Sequence, residues 1–219
     1  MKFTDSEMIF FNSLLDGKAI FGLNIKRPIL IDDEYASRTI QGLTKKGLIG
    51  EDGKLADVRP NPIMQLEYFK NSPTHISYNN LILGLSDAKS ISGVAVHDDG
   101  YEIFSCEKSL YMFEMFLNTP FLNERMEDYP TSMETDTDKD DFLAHMSSNE
   151  YEHCVVFRKY SGTDVVREYT FLWNSQIVLF FDGMDKKKRE VNGVQARALL
   201  LELFELDVLT VKGGNGDNG

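Results

Sequence analysis

Between Glu152 and Asp182 apolar and polar side chains alternate with a period of two, the spacing of a strand whose successive side chains point to opposite faces of a sheet. Three runs carry the pattern: His153 to Phe157, Val165 to Trp173 and Gln176 to Phe181, each rich in β-branched and aromatic residues. Reversals fall at Ser161-Gly162-Thr163-Asp164 and at Asn174-Ser175, which predicts three adjacent antiparallel strands. One face of such a meander has to be covered, and the apolar run Val191 to Val208 is the nearest cover. Within the second run, alternation puts Tyr169, Phe171 and Trp173 on one face and Thr170 and Leu172 on the other.

Towards the N-terminus the period becomes helical. Thr4 or Asp5 can cap a helix with Met8, Ile9, Phe11, Leu14 and Leu15 on one side, ending near Asp16-Gly17. After Gly22 and Pro28, a second helix is predicted from Asp32 to Gly47, with acids in its first turn and Lys45-Lys46 before the terminating glycine, as the helix dipole favours. Leu48 to Leu55 reads as a small hairpin turning at Asp52-Gly53, and Pro62 opens a third helix running to Lys70. Helix, helix, hairpin, helix is a winged-helix-like order.

In the middle of the chain the pattern predicts strands at His75 to Leu83, Ile91 to His97 and Tyr101 to Cys106, with a turn at Asp98-Asp99-Gly100. Leu110 to Leu117 then reads as a helix ending before Pro120. Its density of Met and aromatic residues suits a core and also a groove for a partner. Strand, turn, strand and helix at Ile91 to Leu117 echo the same order at Val165 to Phe204, each with a strand before it. Six strands in two groups fit either one continuous sheet or two facing layers. The fold class is therefore α+β: a winged-helix-like unit over 1–72, an antiparallel β-sheet unit flanked by helices over 73–212, and a glycine-rich flexible tail over 213–219.

Composition is that of an ordinary globular chain, with 42% apolar and 26% charged residues among 219. Charge changes the picture more. A net charge of −12 opposes any phosphate backbone, and the second helix begins Asp32-Asp33-Glu34, where a reading helix would meet phosphates. Nucleic acid is not the expected partner. The one dense basic run, Lys186 to Arg189, is expected as a solvated turn between the last strand and the last helix, or as a landing patch for an acidic partner. From Glu124 through Glu152 ten acids face only Arg125 and Lys139, around an amphipathic helix near Asp138 to Ser147. That stretch reads as a solvated acidic arm with capacity to steer a basic partner.

No catalytic constellation emerges. His75, His97, His145 and His153 form no metal-ligand spacing; there is no phosphate loop and no nucleophile elbow; and Thr135 to Asp141 lacks the glycine and distal glutamate of a calcium loop. The expectation is a non-enzymatic protein with no cofactor and no metal. Cys106 and Cys154 lie in predicted strands and read as buried thiols of a reducing compartment, with a disulfide left open. Acids stand where a basic leader would be, and Glu202, Glu205 and Asp207 interrupt the C-terminal apolar run, so no signal peptide and no spanning helix are expected.

The leading helix, the segment Gly42-Leu-Thr-Lys-Lys-Gly-Leu-Ile-Gly-Glu-Asp-Gly-Lys-Leu55, the helix after it and the strand-rich remainder with a terminal apolar helix together resemble the EspG/EsaE-like chaperones of type VII secretion systems. The resemblance implies a cytoplasmic chaperone or adaptor that holds small helical-hairpin secretion substrates. On that reading Tyr169, Phe171, Trp173 and Phe180 are the candidate partner-binding anchors. The chain does not itself look exported: Trp173-Asn-Ser175 lacks the glycine of the substrate turn, and Tyr160 to Asp164 occupies a hairpin turn where the export signal would need a helix end. The alternative is an immunity protein that binds and neutralises a cognate toxin through the acidic arm.

Overall fold

A computed structural model describes residues 1–26, 32–87, 89–122 and 128–206. Along the chain these are β1 (Lys2–Phe3), α1 (Asp5–Leu14), α2 (Asp33–Lys45), α3 (Pro62–Lys70), β2 (Thr74–Tyr78), β3 (Leu81–Leu85), β4 (Ser90–His97), β5 (Gly100–Glu107) and α4 (Lys108–Asn118). After a 3-10 turn at Pro120–Leu122 come β6 (Thr135–Asp136), α5 (Lys139–Ser147), β7 (His153–Ser161), β8 (Asp164–Trp173), β9 (Val178–Asp182), β10 (Lys187–Glu190) and α6 (Gly193–Leu203). The expected flexible tail, 213–219, lies outside the described residues.

The fold is α+β, and among the described residues its strands make one antiparallel sheet in the order β1-β5-β4-β3-β2-β7-β8-β9-β10-β6. The sheet is continuous, which decides between the two arrangements the sequence left open. At its centre β2 pairs antiparallel with β7, Thr74 opposite Ser161 and Ser77 opposite Arg158. On either side of that pair the same order is written twice: an edge strand, helical cover, a four-stranded meander and a closing helix. The first copy is β1, α1 to α3, β2 to β5 and α4; the second is β6, α5, β7 to β10 and α6. The echo seen in the sequence is thus part of a full repeat related by a pseudo-two-fold through the sheet.

Each face has its own core. α4, the 3-10 turn and α6 cover one face, where Phe157, Phe171 and Phe180 pack with Met112, Phe121 and Leu200. On the other face α1 and α3 lie against the first meander, Met8, Phe11, Leu66 and Phe69 meeting Ile82, Val94 and Ile103. Among the described residues its second half is covered thinly, by Phe142 of α5 and Tyr151 on Leu172, Leu179 and Phe181 and by Phe21 on Tyr160. Tyr169, Phe171 and Trp173 share one face and Leu172 the other, as period-two alternation requires.

Three expectations change. The N-terminal helices form, α1 with Thr4 and Glu7 in a reciprocal capping box and α3 with Pro62 in its first turn. The segment between α2 and α3 reverses at Asp52-Gly53 with Ile49 bridged to Leu55, yet the unit pairs β1 with β5 and shares a core with the sheet. The architecture is N-terminal helices and a large antiparallel sheet flanked by helices, not specifically a winged helix. His75 to Leu83 is two strands rather than one, because Asn79-Asn80 turns the chain. Asn79 takes φ 49°, a conformation asparagine tolerates, and Asn80 bonds across to Val96 O through its Nδ2 at 3.1 Å. The basic run Lys186 to Arg189 is not a solvated turn: Lys187 to Arg189 belong to β10, a strand between β9 and β6.

Candidate protein-binding surface

α4 follows β5 directly and ends before Pro120, with the Thr119 N–H donating to Met115 O at 2.9 Å. Its inner side is core: Lys108, Met112 and Met115 are buried, and Tyr111 and Phe116 pack against them. Its outer side is also apolar. Leu110, Phe113 and Leu117, spaced i, i+3, i+7, are 53%, 49% and 58% exposed and form one row along the helix. The pseudo-symmetry supplies an internal comparison, since α4 and α6 each have eleven residues and close equivalent meanders. At the third, sixth and tenth positions, where α4 has Leu110, Phe113 and Leu117, α6 has exposed Gln195, Ala198 and Glu202. One copy of the repeat presents two polar residues and an alanine at these positions and the other three large apolar side chains.

Beside the row lies a cleft of about 300 Å³ between α4, the β2–β3 turn and the β7–β8 strands. Tyr78, Tyr111, Phe121, Phe157 and Trp173 line it, with Met115 and Val155, while Asn79, Glu114 and Asn118 supply polar groups. The Tyr78 and Tyr111 hydroxyls bond to each other. Burial pushes the Tyr78 hydroxyl up to about 12, and burial together with its tyrosine partner raises Tyr111 above the ordinary phenol range. Both therefore stay neutral hydroxyls at physiological pH. The Trp173 indole Nε1–H is buried with no acceptor among the described residues. Among the described residues the Glu114 carboxylate accepts only from Asn118 Nδ2, at 3.4 Å, and no cation pairs with it.

The four aromatic residues expected as partner anchors do not form a common surface. Tyr169, Phe171 and Phe180 are buried under α6 and the 3-10 turn, 3%, 0% and 2% exposed, and Phe180 meets Tyr169 edge-to-face and Phe171 at a tilt inside the core. Trp173, at the end of β8, is half-buried and reaches the cleft, its ring 4.6 Å from Phe121 and 5.1 Å from His153. The row on α4 carries exposed apolar surface instead. Its signal was present in the sequence: Leu110 to Leu117 is apolar at nearly every position, more than one buried side of a helix needs.

Other chemistry-bearing residues are spread out. His75 is stacked on Phe21 with its Nε2 3.0 Å from Phe69 O, and burial lowers its pKa. His97 lies 3.8 Å from Glu102, and His145 sits between Asp141 and Lys188. No group of three or more His, Cys, Asp or Glu with metal-binding geometry occurs among the described residues. The cysteines are free; Cys154 is exposed, not buried as expected, because it faces the thinly covered half of the sheet, 3.6 Å from Met146 Sδ. The acidic arm and the basic run meet each other: Asp136 with Lys187 at 2.6 Å, Asp141 with Lys188 at 2.5 Å and Glu134 with Arg189 at 3.5 Å. Among the described residues no helix is long and apolar enough to cross a membrane.

Over residues 1–155 the chain matches the family model described as "Domain of unknown function (DUF5081)". The matched region takes in the whole first copy of the repeat, the α4 row included, and reaches the start of β7. No curated protein matches the chain.

Proposed function

We propose that this chain, which belongs to the DUF5081 family, is a non-catalytic adaptor that holds a helical segment of another protein, in the manner of the type VII secretion chaperones its layout resembles. The observation that carries this reading is the exposed row Leu110, Phe113 and Leu117 on a helix whose opposite side is already core. A contiguous apolar row on an otherwise acidic chain is a surface made to be covered. Recognition of an amphipathic helix uses residues at this spacing on each side. A second copy of this chain is a poor occupant, because it would bring another net charge of −12 and its own Glu114 onto the same patch.

On this reading the partner is a small helical secretion substrate, held in the cytoplasm before export. The toxin-binding alternative has less behind it, since Glu134, Asp136 and Asp141 of the acidic arm are taken up by Arg189, Lys187 and Lys188. Affinity capture from the native host tests the proposal. The expected result is a small helical protein in fixed stoichiometry, released by Phe113→Asp and by Leu117→Asp, both exposed positions that leave folding intact. Capture of a toxin inhibited on binding, or binding indifferent to both substitutions, contradicts it.

A further inference from the structure

We propose that the cleft beside α4 is an aromatic cage for the cationic head of a lysine or arginine side chain of the partner. The identity of the occupant as a partner's side chain rests on the adaptor reading above; the cage itself rests on the cleft. Five aromatic side chains line a space at the small end of ligand pockets, Tyr78, Tyr111, Phe121, Phe157 and Trp173. A cation within about 6 Å of such rings is attracted by their negative faces, and the attraction grows as water is excluded.

Aromatic walls alone would serve a neutral anchor equally well. Glu114 makes the difference. It lines the cleft, lies on the exposed side of α4 and has no cation partner among the described residues. A neutral side chain sealing the cleft would strip water from this carboxylate and give nothing back, an uncompensated cost. A lysine or arginine head restores the lost interaction and adds the ring contacts, while its aliphatic stem lies along Met115 and Val155. Glu114 also joins the two parts of the surface. On the helix it flanks the row on the side of the cleft, so a partner helix seated on the row can send one basic residue past it into the cage.

The chain contains a single tryptophan, and it lines the cleft, so the one indole N–H resonance in a nitrogen-15 spectrum reports occupancy directly. The probes are Nα-acetyl-lysine methylamide and the neutral Nα-acetyl-norleucine methylamide, which has the same stem without the ammonium. The expected result is a saturable shift of the indole resonance with the lysine probe, and affinity about tenfold weaker for the norleucine probe. Glu114→Gln, an exposed change that leaves the fold intact, should weaken the lysine probe several-fold and leave the norleucine probe where it was. Equal affinity for the two probes, or no saturable shift up to ~100 mM lysine probe, overturns the cage. The adaptor reading fails separately: a cage that binds the lysine probe on a chain that captures no helical partner retains the site and removes its assigned occupant.

Discussion

The hydroxyl of Tyr78 on β2 is hydrogen-bonded to the hydroxyl of Tyr111 on α4, across the wall of the cleft. The bond ties the helix that carries the exposed apolar row to the strand of the first meander that lies at the centre of the sheet. It also satisfies two polar groups that the surrounding apolar side chains would otherwise leave stranded. Tyr111→Phe leaves the Tyr78 hydroxyl alone in a mostly apolar setting and should cost roughly 1–2 kcal/mol in urea unfolding. In a double-mutant cycle, Tyr78→Phe together with Tyr111→Phe should cost less than the sum of the two single changes, because neither hydroxyl is then left unpaired.

Glu7 plays a comparable part on the other face. Its carboxylate is 3% exposed, closes the capping box on Thr4 N at 2.8 Å and receives the Lys46 ammonium at 2.5 Å, which links α1 to the end of α2. Lys46→Met should destabilise the chain by roughly 2–3 kcal/mol, less than for a fully buried pair because Lys46 remains 25% exposed. Gly42→Ala should also be destabilising in the same denaturation assay, since the added Cβ would stand 2.7 Å from Glu7 Oε1.

Acid sensitivity should trace in part to His75. Burial holds its pKa below 6.5, so the folded state favours the neutral ring while the unfolded chain takes up a proton sooner. The stability this contributes is complete above pH 6.5 and is lost as pH falls below that value towards the folded pKa. Thermal unfolding midpoints should therefore decline from pH 7 to about 5. His75→Phe, which removes the titrating ring but not the aromatic slot between Phe21 and Phe69, should flatten that decline.

α5 is the least anchored helix. It has no buried residue and is held by Phe142 on Phe181 and by Lys188, which reaches Asp141 at 2.5 Å and His145 at 3.1 Å. Its backbone amides should exchange with solvent at least roughly tenfold faster than those of α6, which buries Ala196, Leu200 and Leu201. Lys188→Met should raise exchange in α5 and leave α6 unchanged.

Much of the fold was legible in local patterns, because capping residues, glycine turns and period-two alternation act over a few residues. Thr4, Asp32, Pro62 and the strands from Val165 to Trp173 fall where those rules put them. The misses came from interactions set by distant partners. Lys187 to Arg189 have the composition of a solvated turn, and only their backbone pairing with β9 and β6, supported by the ion pairs to Asp136, Asp141 and Glu134, makes them a strand. Asn79-Asn80 looks unremarkable inside an apolar run until β3 folds back on β2. The candidate surface was legible only in part: Trp173 reaches the cleft, but Tyr169, Phe171 and Phe180 serve the core, since a strand covered by a helix buries the aromatics that face it. Leu110, Phe113 and Leu117 could be separated from Met112 and Met115 only once the sheet had chosen which side of α4 to cover.

Side-chain oxidation footprinting of the chain alone and in complex with its captured partner tests the central claim most directly. The account predicts that Leu110, Phe113 and Leu117 of α4 lose most of their labelling on binding, while Val194 of α6, 50% exposed on the equivalent helix, labels as before. Protection of Val194 or of Leu143 and Met146 on α5, with the α4 row still labelled as in the free chain, would contradict it.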